Sequence, residues 1–549
     1  MGKVVASRRA VWLIGVLGGL ALGGCSLHQA GVTPPDNRIF FPSGGIIDPD
    51  GQWLYVVNSN SDLRYNAGTI VAVDLTAVRN DDPRQNPAGT AWPVCPTDPR
   101  YVPPADQAAA APLCCWDLLD SSILNCDEQV LINREWTVQI GSFAGTPVIQ
   151  TFPDDLTTDP PTLKNRRMYV PVRGDTSVTF MNLARGVPAD GTKFRCTGPR
   201  RDANEPADGL NAPSVQNRFA ICEDLWRVTR KDDPNVYSKF HVIPDDQVMY
   251  LPDEPYALAL DADDDLLYVG HLRGYVSVID LGIGELNGPQ VPNLVDRNSG
   301  VLPADASGSV GVTSLTIHPT TSTCGKEIYA TSRFRPLASS FLVYGVAGAR
   351  CGRNADAASS PGGEGLVVVP TGSTLSTGVA GSDTRGIQFV NSKYLPPGSI
   401  LPPSSQNQNS SPDRAFLIQR NPPTLVGVDL STQLPLSTME ICQGPTNLQQ
   451  PTDSQGNPLF GVPMLFITCF DSGELYVVDP SIPQIRSVIP VGREPINTVF
   501  DATDPTRAYV MTFGGNNISV VDLDPFSPTY ERVIERIGFP SATPRDVGP

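Results

Sequence analysis

An apolar run carrying an aromatic, a polar loop and a second apolar run recur seven times along the chain, and the second run usually closes on Asp-Leu. The pairs are Leu54–Asn58 with Ile70–Leu75, Met168–Val172 with Val178–Leu183, Leu267–His271 with Val276–Leu281, and Ile328–Ser332 with Phe341–Tyr344. Ala415–Gln419 with Leu425–Leu430, Leu465–Cys469 with Leu475–Pro480, and Ala508–Thr512 with Ile518–Leu523 complete the series. The aromatic lies thirteen residues before the closing Asp or Asn in four repeats (Tyr169 to Asn182, Phe416 to Asp429, Phe466 to Asp479, Tyr509 to Asp522). Short apolar runs, β-branched or aromatic and bounded by turn residues, read as strands, so each phrase predicts two neighbouring strands joined by a loop.

Upstream of several phrases stand a proline, a short apolar strand and an Asp/Pro/Gly turn, as at Ile46–Gly51, Pro255–Asp261 and Pro495–Asp501. Downstream there is often a fourth strand ending near glycine, as at Arg486–Gly492 and Glu531–Gly538. Four short antiparallel strands per unit, repeated radially, predict an all-β, seven-bladed β-propeller of four-stranded blades. One such unit cannot bury both of its faces, so the ring must close. Seven units of about 45 residues need roughly 315, so this chain of 549 residues holds large insertions. They fall at about 79–134 and 184–245, after the third strands of blades 1 and 2, and at about 392–413, between the first two strands of blade 5. Loops 1–2 and 3–4 share one face of a propeller and loops 2–3 and 4–1 the other, so all three insertions are expected on one face.

The unit resembles the YVTN repeat of seven-bladed propellers, in which a strand, a Ser-Pro-Asp-Gly turn, a Tyr-Val-Thr-Asn strand and a Val-Ser-Val-Ile-Asp strand follow in order. Degenerate cores stand at Tyr55-Val56-Val57-Asn58, Tyr268-Val269-Gly270-His271 and Tyr509-Val510-Met511-Thr512, and the resemblance covers roughly 40–549. No Gly-His…Trp-Asp pair recurs, which sets WD40 repeats aside.

The amino terminus reads differently. Lys3, Arg8 and Arg9 precede an apolar stretch from Ala10 to Leu22. That stretch is shorter than the roughly 20 residues a bilayer core requires, and it matches a secretory h-region. It ends in Leu22-Gly23-Gly24-Cys25, which resembles the bacterial lipobox. The resemblance implies cleavage after Gly24, a covalent lipid on Cys25 and anchorage to a membrane. Residues 1–24 are then a lipoprotein signal peptide, 25–37 a tether and 38–549 the propeller. Ser26 after the lipidated residue points to the outer membrane. Ser7–Leu13 is similar to a twin-arginine signal, and both export routes stay open.

Net charge is −17, and the cleaved leader carries three cations and no acid, so the mature chain is more acidic still. That argues against nucleic acid and anionic lipid as general partners, because both reward a basic surface. Ten cysteines besides Cys25 in an oxidising compartment read as disulfides. Cys196–Cys222, Cys324–Cys351 and Cys442–Cys469 are the expected pairs. Partners among Cys95, Cys114, Cys115 and Cys126 stay open, with a strained vicinal Cys114–Cys115 bond disfavoured. No Cys-x-x-Cys-His occurs, which excludes covalent haem c, and no cofactor beyond the lipid is implied.

Candidate chemistry is thin. His28, His241, His271 and His318 have no partner at metal-ligand spacing. The acidic stretches at Asp48–Gly51 and Asp261–Asp265 fall where the turn between strands 1 and 2 belongs, and turn chemistry accounts for them. One pattern stands out. Loops 2–3 carry arginine in four consecutive blades, at Arg173, Arg273, Arg333 (with Arg335) and Arg420. Arg64 lies in the longer loop of blade 1, and Arg385 and Arg493 are expected in loops 4–1 on the same face. Guanidiniums gathered there would bind a carboxylate, phosphate or sulfate in bidentate fashion. Three functional readings follow: a non-catalytic binding or scaffold propeller for an envelope protein or glycan; a propeller enzyme, with His271, His318 and Glu494 as candidates; or a component of an outer-membrane assembly.

Overall fold

A computed structural model describes residues 32–80, 92, 94–95, 114–152, 154, 157, 165–185, 193–196, 220–222, 226–228, 251–263, 265–281, 311–319, 326–345, 366–396, 412–453 and 456–538. Cys25, His28, His241, Cys324 and Cys351 lie outside the described residues. Seven sheets follow one another around the ring, and the strands of each repeat are laid down in sequence order from the first strand outward. The first strands are Pro42–Ile47, Val148–Thr151, Pro255–Asp261, Val312–Ile317, Ser382–Val390, Pro445–Gln449 and Pro495–Phe500. From blade 2 onward first strands of consecutive blades lie against one another, Pro42–Ile47 of blade 1 meets Pro495–Phe500 of blade 7, and blades 1 and 2 share one apolar cluster. The chain is thus a closed seven-bladed β-propeller. Blade 3 shows three strands among the described residues.

The two runs of each repeat are the second and third strands. In blade 1 they are Trp53–Asn58 and Gly68–Asp74, paired from Trp53↔Asp74 to Asn58↔Thr69. Successive side chains of a strand point to opposite faces, and the second strands use both faces for burial. Trp53, Tyr55 and Val57 pack with blade 2 residues such as Met168 and Val170, while Leu54 and Val56 pack with Tyr509 and Met511 of blade 7. The same division holds further round. Phe466 faces blade 7 and Ile467 faces blade 5. The repeated aromatic is therefore the residue that each blade turns toward the next one. Between blades the approach is close at the first strand, where a Cβ on Gly45 would lie 2.2 Å from Met511 Cε.

Backbone hydrogen bonds confirm which loops share a face. Leu272 N donates to Glu254 O (3.0 Å), Phe470 N to Gly444 O (2.9 Å) and Phe513 N to Glu494 O (2.9 Å), each joining a 2–3 loop to the preceding 4–1 connection. We call this the upper face. The lower face carries loops 1–2 and 3–4.

The first insertion departs from the expected layout. It leaves the lower face through a short helix, Leu75–Asn80, but its strands Cys114–Trp116 and Leu124–Cys126 join the outer edge of blade 7. Leu124–Cys126 pairs in parallel with the last strand, Arg532–Ile537, from Glu535↔Leu124 to Ile537↔Cys126. The free edge of blade 7 supplies unpaired N–H and C=O groups, so the insertion runs along that edge instead of spreading over a face. Cys114–Cys126 and Cys95–Cys115 staple it, and there is no vicinal bond. Arg536 Nη1 bonds Asp117 Oδ2 at 3.0 Å. Blade 1 therefore clasps blade 7 and locks the ring.

The second insertion laps back in the same sense. Ala220–Ile221 extends blade 1 in parallel beside Val138–Ile140, and Phe194 packs edge-on to Tyr55 at 5.5 Å. Lys193, buried, lies over the Trp53 and Trp136 rings at 5.7 and 5.2 Å. Cys196–Cys222 closes this segment, and Cys442–Cys469 joins blades 5 and 6. Among the described residues no helix is long and apolar enough to cross a membrane.

Candidate functional site on the upper face

The last residue of the repeat's first run sets the geometry of the upper face. Asn58 Oδ1 accepts from Phe40 N at 3.1 Å, and its Nδ2 donates to Arg38 O at 3.0 Å. It thereby holds the segment that leads into its own blade. In blade 3 the same place is taken by His271. Its Nδ1 lies 3.1 Å from Asp253 O and its Nε2 2.9 Å from Ser277 Oγ. In blade 5 Gln419 Oε1 accepts from Thr377 Oγ1 at 2.8 Å. In blade 6 a covalent bond replaces the hydrogen bond, with Cys469 joined to Cys442. Four side-chain types thus do one job: each ties the end of the second strand to the connection entering that blade.

His271 is a strut in this series, and both of its ring nitrogens are occupied within the protein. Burial pushes its imidazole down to about 4, with the backbone bonds of Asp253 and Pro252 pulling the other way. An unfolded histidine titrates near 6.5. Above that pH both states are neutral and the His271 contribution is complete. As pH falls from about 6.5 toward 4 the unfolded chain takes up a proton that the folded chain refuses, so stability is lost. The gap corresponds to roughly 3 kcal/mol at most. Urea unfolding of the wild type and His271→Gln across this window should show a shallower pH slope in the variant. Equal slopes would remove His271 as the cause.

His318 sits at the other end of its blade, on the lower face, 3.3 Å from Pro412 O and against the Phe389 ring at 4.7 Å. Burial lowers its pKa as well. The two described histidines therefore belong to opposite faces. Glu494 lies in the connection between blades 6 and 7, at φ +53. Among the described residues no three His, Cys, Asp or Glu side chains gather to hold a metal ion.

The arginines take up distinct settings. Arg173, Arg273 and Arg333 occupy the tight loops after the second strands of blades 2, 3 and 4, and Arg273 and Arg333 are exposed. Arg420 belongs to the strand Arg414–Asn421 rather than to a loop, and its Nη2 pairs with Asp471 of blade 6 at 3.2 Å. Arg385 is likewise inside a strand, Ser382–Val390, paired through Nε with Asp383 Oδ1 at 2.6 Å. Arg385 also meets Tyr256, so a first-strand residue of blade 5 touches a first-strand residue of blade 3. Burial works against its charge, yet Tyr256 and Asp383 outweigh that and its pKa is raised. Arg493 is exposed in the connection between blades 6 and 7.

Aromatic side chains interleave with these cations. Arg333 lies 5.6 Å from the Phe334 ring and Arg420 5.7 Å from the Phe470 ring. Phe470, Phe513 and Phe41 then follow one another across blades 6, 7 and 1 at 6.2 and 5.3 Å. Tyr275 and Phe334 are exposed. The sequence reading missed this aromatic series, although a phenylalanine directly follows the second strand in blades 6 and 7.

The lower face has the opposite character. Asp48 accepts from Asp50 N (2.9 Å) and Tyr55 Oη (3.0 Å) and pairs with Arg166 of blade 2. Asp261 accepts from Asp263 N and pairs with Lys326 of blade 4. Asp501 accepts from Thr503 N and pairs with Arg79 of blade 1. Each acid caps its own turn and holds a cation of the next blade. The turn chemistry read from the sequence is thus present, with a second role as staple between blades.

No protein-family model matches the chain, and no curated protein matches it. Among solved structures it is similar to hydrazine synthase of Kuenenia stuttgartiensis, with 11% identity and a TM-score of 0.40 over 91% of this chain and 99% of that one. It is also similar to the dihydro-heme d1 dehydrogenase NirN in complex with DHE, with 13% identity and a TM-score of 0.29 over 51% of this chain and 46% of that one. Likenesses this distant say nothing of what the chain binds or catalyses.

Proposed function

We propose that this chain is an envelope lipoprotein of the YVTN-repeat type, anchored through Cys25, whose propeller is a rigid binding or scaffold module for an envelope protein or glycan. The observation that carries this reading is the upper face, where arginines of successive blades, Arg333 in its loop and Arg420 at the end of its strand, stand beside the Phe334 and Phe470 rings. Planar guanidiniums next to ring faces suit anionic groups on a larger partner. The two described histidines, by contrast, are engaged within the fold. The test is a triple variant, Arg173→Ala with Arg273→Ala and Arg420→Ala, measured against a panel of anionic glycans and peptides. Weakened binding of every anionic ligand that the wild type retains is expected. Unchanged binding would overturn the assignment of this face. Mass spectrometry of the amino-terminal peptide tests the lipid on Cys25 separately.

A further inference from the structure

Net charge conceals a polarity in this protein. The repeat places its closing Asp or Asn at the lower end of the third strand, as in Asp74, Asn182, Asp429, Asp479 and Asp522. The turns between strands 1 and 2 add Asp48, Asp50, Asp261, Asp263, Asp501 and Asp504 on the same face. Carboxylates therefore outnumber cations at the described lower face. In the described upper-face loops arginines and carboxylates balance, and the exposed ones are Arg273, Arg333 and Arg493 against Asp62 and Asp471. The acidity of a chain of charge −17 is thus balanced by arginine in the described upper-face loops and not in the described lower-face ones.

The amino-terminal segment emerges beside that face. Val32, the first described residue, accepts a hydrogen bond from Asn66 N in the 2–3 loop of blade 1 at 3.0 Å. Further along, Phe41 N donates to Asn516 Oδ1 in the 2–3 loop of blade 7 at 2.7 Å. Six residues lie between Cys25 and Val32, so the seven chain steps reach at most about 25 Å. A six-residue strand is itself about 20 Å long, so reaching past the lower face would consume nearly the whole tether. Exposed apolar side chains near the exit, Val32 and Leu63, sit on the upper face together with Tyr275 and Phe334. The described lower face also exposes apolar groups, among them Leu119, Leu434, Val462, Ile482 and Phe526.

We infer that the upper face lies against the anionic phospholipid surface to which the chain is anchored, with Arg273, Arg333 and Arg493 at the headgroups and Tyr275 and Phe334 at the interface. The acidic lower face then looks away from the bilayer. This names the partner of the upper face and rests on the lipoprotein reading above. The physical basis is the attraction of clustered arginine to anionic headgroups, together with the preference of amphipathic rings for the membrane boundary.

The test uses the chain from Ser26 onward, which retains every described element, co-sedimented with vesicles of phosphatidylcholine alone or with an equal part of phosphatidylglycerol. Sedimentation with the anionic vesicles at low salt, lost at high salt, is expected. Each upper-face arginine is worth about fivefold in partitioning, so Arg273→Gln with Arg333→Gln should weaken it by more than tenfold. Arg532→Gln, which removes an exposed cation from the lower end of blade 7, should leave it unchanged. Absence of binding to the anionic vesicles, or equal losses from Arg532→Gln and the upper-face pair, would overturn the orientation. The lipid on Cys25 and the glycan and peptide panel are read independently, so either can stand if the vesicle result fails.

Discussion

Asp48→Ala is expected to destabilise the propeller by about 3–5 kcal/mol, the range for removing one partner of a buried ion pair. Asp48 is buried and serves three groups: the Arg166 guanidinium, Tyr55 Oη and the amide of Asp50. Arg166 is also buried, and without Asp48 it keeps only Asp50, at 2.7 Å, as a described carboxylate partner. The turn also depends on the Asp48 side chain, because Asp50 N donates to its Oδ1 at 2.9 Å. Asp48→Asn retains an acceptor for Tyr55 and for the turn while losing the charge, so it should fall between wild type and alanine. Urea unfolding of the three proteins at neutral pH gives the comparison. A loss below about 1 kcal/mol for alanine, in the range of an exposed pair, would mean that Asp50 alone holds Arg166.

The second large effect belongs to the clasp. Opening Cys114–Cys126, whose cysteines are 12 apart in sequence, removes a constraint worth roughly 3 kcal/mol on the chain-entropy account. The paired substitution Cys114→Ser with Cys126→Ser should lower stability by that amount. It should also raise amide exchange selectively in Arg532–Ile537 and in the blade 1 strands facing blade 7. Leu124 and Cys126 belong to the same apolar cluster as Leu54, Val56, Ile534 and Ile537, so loosening the hairpin loosens the junction of blades 7 and 1. Uniform exchange around the ring would show that the clasp is decoration on blade 7 and not part of the closure.

Much of this was legible in the sequence for a definite reason. A propeller blade repeats its strand pattern locally, and period-2 burial on both faces of the second strand leaves an unmistakable apolar run around each aromatic. The turn acids were legible because Asp and Gly at fixed offsets have one common use. What escaped were relations between blades. Nothing near Leu124 signals that it will pair with Glu535. Arg420 and Arg385 read as loop residues, because a strand that continues to Asn421 or begins at Ser382 has no distinct pattern where it meets its neighbour. His271 read as a site candidate because histidine carries chemistry. Its equivalence to Asn58, Gln419 and Cys469 is visible only when all four are seen holding the same connection.

The clasp also sets the order in which this molecule can be finished. It joins early and late parts of the described chain, Arg536 to Asp117 across 419 positions, and the first strands at the same junction do so too, Gly45 to Asn497 across 452. Contacts of such separation form slowly, because their loop-closure entropy must be met before they reward it. Until blade 7 exists, blade 1 stands with Leu54 and Val56 uncovered and the hairpin at Leu124–Cys126 has no edge to join. Completion of the ring therefore waits for the last strand, and every intermediate before it carries an open apolar seam.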